Sequence, residues 1–245
     1  MNADIESTMP APSTKNPLSL FLDVWMSPTQ GFTQLKDKPR IWYPFFAIIL
    51  AQIALSVYFA FSVDAAWMVD QMANANPNIT PEQRDAMASM QTFMAGGIGA
   101  TVSAIGIAIM FPLIFSIFAG YYTIISSFTA DGIRFGQWLG LICWSSTPMV
   151  FVAIASAITI LLSENGQILQ TQLNPLSLNS LFFKLPAGVT GSTFFSSVDL
   201  SMIWTSALTV IGYRTWTQKS LGTACLVALT PPILILTIVA YFSFT

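Results

Sequence analysis

Asp199 is the acidic residue that falls inside an apolar stretch of this chain, TFFSSVDLSMIWTSALTV. A carboxylate at membrane depth is costly and marks an ion, ligand or interhelical contact. A carboxylate in the first turn of a helix has a second explanation, the favourable end of the backbone dipole. Both readings apply to Asp199, because the apolar run that follows it is helical in pattern. Prolines form the second set. Pro112, Pro148, Pro231 and Pro232 interrupt apolar runs. Each removes a backbone donor and frees the carbonyl four residues earlier. Such breaks line substrate sites in transporters, or are kinks satisfied by neighbouring helices and hydroxyls. Ser145, Ser146 and Thr147 before Pro148, and Thr230 before Pro231, suit the kink role.

Other chemistry finds little material. The chain has no histidine, which removes the commonest general base and the commonest transition-metal ligand. Serines and threonines are plentiful but lack that base. Met68, Met72, Met87, Met90 and Met94 carry soft sulfurs, yet no Cys or His stands beside them, and Met87, Met90 and Met94 fit one apolar helix face. Cys143 and Cys225 lie in apolar runs without a CxxC partner, the setting of buried thiols. We expect no enzyme, no cofactor and no metal.

The elements that hold these residues belong to a membrane. Of the 245 residues, 54% are apolar and 8% charged, against about 25% charged in an ordinary soluble domain. A net charge of −2 supplies no basic face for nucleic acid. A span needs roughly 20 apolar residues. Five stretches qualify, at about 41–62, 97–120, 138–162, 194–213 and 221–243. The fourth is the least apolar. The second sits in an uncharged run, 94–128, too long for one upright span. The expected architecture is therefore all-α: a polytopic bundle of five transmembrane helices with interfacial amphipathic helices.

Residues 1–17 read as a disordered cytoplasmic tail, and 18–245 as the membrane domain. In the lead-in, Leu18, Phe21, Leu22 and Trp25 share a helical face. Ser27, Pro28 and Gln30 read as a capping box, and Pro39 ends the second helix. Thr80, Pro81 and Gln83 read as a second capping box. Leu178, Leu181, Phe182 and Leu185 predict a short interfacial helix ended by Pro186. The second span opens with small residues, among them Gly96, Gly99, Ala100, Ser103, Ala104 and Ala108. Their spacing suits close packing in the bundle or self-association.

Lysine and arginine placement orients the chain. With the N-terminus inside, Lys15, Lys36, Lys38, Arg40, Arg134, Arg214 and Lys219 fall inside, and Arg84 and Lys184 outside. The C-terminus and both long loops then lie outside.

Three segments together resemble the bacterial branch of the Yip1 family. They are SPTQGFTQLKDKPRIWYPFF (27–46), RFGQWLGLICWSSTPMV (134–150) and VDLSMIWTSALTVIGYRTWTQKSLGTA (198–224). The last is the most specific: Asp199, Leu200 and Trp204 open the fourth span, Gly212 closes it, and Lys219-Ser220 precede the fifth. The resemblance implies a five-span protein of the bacterial inner membrane, acting through membrane lipids or protein partners. The eukaryotic relatives work in vesicle traffic with small GTPases, through an acidic DLYGP-type motif that this chain lacks. Asp199, Trp204, Gly212, Pro148, Pro231 and Pro232 are the positions to test, with Trp204 expected to pack inside the bundle. A small-solute carrier or lipid-translocating protein is the alternative.

Overall fold

The computed structural model describes residues 16–75, 79–186 and 189–245. Most of the expected tail therefore lies outside the described residues. The described chain is helical: α1 (Pro17–Met26), α2 (Pro28–Leu35), α3 (Trp42–Ser62), α4 (Ala65–Ala75), α5 (Pro81–Met94), α6 (Gly96–Thr129), α7 (Phe135–Ser145), α8 (Pro148–Leu162), α9 (Ser192–Ser197), α10 (Leu200–Thr217) and α11 (Leu221–Phe244). A π-helical turn spans Asn179–Phe183. The only β pairing among the described residues is an isolated bridge between Ser177 and Asp199.

Among the described residues, four helical units are long and apolar enough to cross a membrane: Trp42–Ser62, Gly96–Thr129, Phe135–Leu162 and Leu221–Phe244. This is a helical membrane bundle. In α6, Ile98, Val102, Ile105, Ile109, Leu113 and Ile117 are all exposed. They recur at helical spacing, so they form one apolar stripe where a soluble protein would place charge. The opposite side of α6 packs on α3 and α7. α10 touches α2, α7, α8 and α11.

Several boundaries differ from the expected ones. α6 is one helix of 34 residues, about 51 Å at 1.5 Å per residue, longer than the roughly 30 Å hydrocarbon core. The third stretch begins at Phe135 and is broken between α7 and α8 at Ser146 and Thr147. The helix of the fourth stretch starts at Leu200, not 194, and runs to Thr217. Phe194 and Phe195 belong to the separate helix α9, because Val198 is extended. Gly212 accordingly lies within α10 rather than closing it.

The lead-in folds back on one end of the bundle, against α7 and α10. Its buried face is Leu20 and Val24, with Phe21 and Trp25 packed beside them. Leu18 and Leu22 are 66% and 58% exposed. The expected face was therefore half right: α1 is apolar on two sides, and the bundle takes one of them. Ser27 makes no side-chain cap to α2. Thr80 does form its capping box, with Gln83.

At the opposite end, the two long connections fold on each other. The amide of Asp64 donates to Gly166 O at 3.0 Å. The turn at 179–183 closes at Lys184, where Asn179 both accepts from the Leu185 amide and donates to its carbonyl. Phe183 stacks on Phe195 at 3.9 Å, and Phe195 meets Phe244 near the end of α11.

Candidate functional site

Pro231 and Pro232 stand inside α11, so the carbonyls of Val227 and Ala228 lose their helical donors. Two consecutive tyrosines on α6 replace them. Tyr121 Oη donates to Val227 O at 3.1 Å, and Tyr122 Oη to Ala228 O at 3.2 Å. Pro148 begins α8 and denies the carbonyl of Trp144 its i+4 amide; the Thr147 amide reaches that oxygen instead, at 3.3 Å. Thr147 Oγ1 donates to that oxygen at 2.8 Å and accepts from Trp25 Nε1 at 2.9 Å. The break in the third span is therefore tied to the lead-in. In lipid an unsatisfied backbone carbonyl costs several kcal/mol at about the level of a lost buried hydrogen bond, so these partners let the prolines persist.

Tyr122 also starts a column of rings. It stacks on Trp138 at 5.3 Å, and Trp138 stacks on Tyr213 at 5.5 Å and lies 5.8 Å from Trp216. Trp216 Nε1 donates to Phe32 O at 2.7 Å. Trp144 Nε1 donates to Pro39 O at 2.7 Å, and Lys36 Nζ to Trp216 O at 2.7 Å. Gln137 Nε2 donates to Lys36 O at 2.8 Å. Each of these bonds joins the segment before the first span to α7 or α10, and each is directed at a backbone oxygen. Nearby, Lys219 Nζ lies 3.3 Å from Asp131, whose side chain is 6% exposed.

The close approaches here require missing side chains. A Cβ on Gly212 would stand 2.7 Å from Leu141 Cδ1 and 3.1 Å from Phe32 Cδ1. A Cβ on Gly140 would collide with Pro39 Cβ. Gly212 is thus the point where α2, α7 and α10 meet.

Asp199 is the N-cap of α10. Oδ1 accepts from the Met202 amide at 2.8 Å and from Ser201 Oγ at 2.6 Å, while Oδ2 accepts from Asn174 Nδ2 at 2.7 Å. The backbone on either side pairs with the connection that precedes α9, Leu178 N to Val198 O and Leu200 N to Leu176 O. Trp204 is 39% exposed, on the outer side of α10 with Ile203, and so corrects the expectation that it packs inside.

An apolar cavity of about 270 Å³ lies between α6, the α7–α8 break, α10 and α11. Phe111, Phe115, Phe118, Met202 and Ile235 are among the residues that line it, as are Pro232 and Tyr122. Its polar groups are hydroxyls, those of Ser146, Thr205, Ser206 and Thr209. Thr205 Oγ1 is buried without a partner among the described residues. Among the described residues, no ionisable group except the Tyr122 phenol lines the cavity, so it suits an apolar chain better than a charged solute.

The six residues singled out from sequence do not converge. Asp199 and Gly212 are thirteen positions apart on α10, about 20 Å along the axis. Of the six, Pro232 alone lines the cavity. Sequence reasoning missed Tyr121, Tyr122, Trp25, Lys36 and the Lys219–Asp131 pair. One signal was available: two adjacent prolines free two adjacent carbonyls, and the chain holds one adjacent pair of tyrosines, Tyr121 and Tyr122.

Neither a curated protein nor a solved structure matches the chain. The family described as the Yip1 domain does, over residues 22–242. That match begins inside α1 and ends inside α11, so it takes in the lead-in and its docking site as well as the apolar helices. The chain therefore belongs to the Yip1 family of membrane proteins.

Proposed function

We propose that this chain is a non-catalytic, five-span membrane protein that acts through protein and lipid contacts, with α10 as the fourth span. The N-terminus and the lead-in face the cytoplasm of a bacterial inner membrane, and the C-terminus lies outside. The observation that carries this reading is the docking of α1 and α2. Trp25, Lys36, Trp144 and Trp216 all hold that segment against one end of the bundle. Lys36, Arg134, Arg214 and Lys219 cluster at the same end by chain connection and contact. The result is a rigid, cation-bearing platform beside a membrane, which is a surface for partners.

Purification in native lipid discs, followed by mass spectrometry of what is retained, tests this. A stoichiometric protein partner, lost when Phe32 and Trp216 are both replaced by alanine, is the expected result. Solute uptake by the purified protein in vesicles, abolished by Asp199→Asn, overturns it. Reporter fusions at Thr245 test the orientation: activity of a periplasm-dependent reporter is expected, and activity of a cytoplasm-dependent one contradicts the five-span count.

The carrier reading draws on the cavity beside Pro232. Its walls favour a lipid tail as cargo. Single cysteines along α8 and α11 distinguish the two readings. A continuous water-accessible stripe supports a carrier, and its absence supports the interaction protein.

A further inference from the structure

A second depression, about 460 Å³, lies between α2 and the turn that joins α10 to α11. Thr29 and Thr33 line one side, and Arg214, Thr215, Gln218 and Lys219 the other. We infer that this groove binds the phosphate of an anionic membrane phospholipid, with Arg214 and Lys219 as the charged ligands. The inference deepens the proposed lipid contacts and rests on that reading.

The charge pattern comes first. Arg214 is exposed in the last turn of α10 and has no acidic partner among the described residues. A guanidinium presents several donors in a fork that matches a phosphate. Lys219 is oriented by Asp131, yet its side chain stays 36% exposed. Two cations facing one carboxylate leave an excess of one positive charge. Gln218 turns the chain between them through a left-handed conformation, φ 57°. That reversal brings Lys219 back beside Arg214. Thr33 and Thr215 donate their hydroxyl protons to their own helices, and Gln218 gives one of its two amide hydrogens to Thr215 O, so the donors left for a phosphate are Arg214, Lys219, Thr29 and the second Gln218 hydrogen.

Position then selects the source of the phosphate. The groove borders Val210, Ile211 and Leu221, at the start of a helix long enough to cross the bilayer. Leu221 is exposed there, and so is Leu226, five residues further on. A headgroup held by Arg214 would lay its acyl chains along the apolar start of that helix. A free phosphate or a nucleotide would gain nothing from it. Cationic pockets beside transmembrane helices recognise lipid headgroups in this way. Because Thr29 and Thr33 belong to α2, a bound lipid also bridges the lead-in to the bundle.

The test uses the full chain, purified in a neutral detergent. It is offered phosphatidylglycerol or phosphatidylethanolamine, and retained lipid is counted by native mass spectrometry. Phosphatidylglycerol is expected to be retained preferentially. Arg214→Gln is expected to lower that retention about fivefold, the scale of one juxtamembrane cation, and Arg214→Lys to preserve part of it. Arg84→Gln, at the Asp70 pair on the outer connection, is expected to change nothing. Inorganic phosphate at millimolar concentration should not compete. Equal retention of the two lipids, or no loss with Arg214→Gln in a variant of unchanged melting temperature, overturns the inference. So does full competition by inorganic phosphate, which would make this an ion site. Those outcomes leave the protein-partner reading standing, since that is judged by the proteins retained in native discs.

Discussion

The phenol of Tyr122 on α6 donates to the carbonyl of Ala228 on α11, the oxygen that Pro232 leaves without its helical donor. Tyr121 does the same for Val227 and Pro231. α6 and α11 are thus joined at the proline pair, beside the cavity. Tyr122→Phe should lower stability by about 0.6–1.7 kcal/mol, the range of interhelical hydrogen bonds in membranes. Pro232→Ala restores the amide that the Ala228 carbonyl lacks. In that background Tyr122→Phe should cost less, so a double-mutant cycle by reversible unfolding in detergent should show a non-zero coupling. Additive effects would mean that the phenol does not serve the proline-freed carbonyl.

Alanine should destabilise the bundle at Gly212 and not at Gly106. At Gly212 the new methyl meets Leu141 Cδ1 at 2.7 Å in the buried contact of three helices. Overpacking of that kind costs about 1–3 kcal/mol. At Gly106 a Cβ meets nothing within 4 Å, and alanine has the higher helix propensity, by up to about 1 kcal/mol. Thermal unfolding in detergent should show a lowered midpoint for Gly212→Ala and an unchanged or raised one for Gly106→Ala.

Thr147 is the joint between the broken third span and the lead-in. Its hydroxyl accepts from Trp25 and donates to the Trp144 carbonyl. Thr147→Val has the same shape but breaks both bonds. Faster amide exchange over Pro17–Met26 is the expected result, with protection retained in Thr147→Ser. Unchanged exchange in the valine variant would show that apolar packing of Leu20 and Val24 alone holds α1.

Much of the bundle was legible in the apolar runs. The starts of α3 and α11 follow from long uncharged stretches, because a bilayer-length run has few alternative structures. What escaped was set by contacts far apart in the chain. Nothing near Leu20 says that the bundle, met through α2 and α7, will cover it instead of lipid, so the inward face of α1 was misplaced. Trp204 has the residue type of an interior packer, and only the rotation of α10, fixed by Gly212 and Trp216, turns it outward. The start of α10 was hidden for a related reason. Phe194 and Phe195 are as apolar as the span itself, and Asp199 ends their helix only because Asn174 and Ser177 meet it from a distant loop. The candidate residues were legible as interruptions, but their partners were not.

Asp199 offers the sharpest contrast between a cap and an intramembrane functional carboxylate. Its two oxygens accept from Ser201, Met202 and Asn174. Asp199→Ala removes the cap, worth about 0.5–2 kcal/mol, and leaves the Asn174 amide without its acceptor. The Ser177 bridge beside it should then loosen. We expect a lower melting temperature and a new protease-sensitive site between Gln172 and Ser197. Asp199→Asn keeps one oxygen for the Met202 amide, because asparagine caps as well as aspartate. It turns a donor towards Asn174, whose own side-chain oxygen already accepts from the Leu176 amide. Most of the stability should therefore remain, with the loss confined to the loop. If both variants keep the melting temperature and the protease pattern of the parent, Asp199 is not a structural cap. A loss of partner or lipid retention in the asparagine variant would then assign it a role in function.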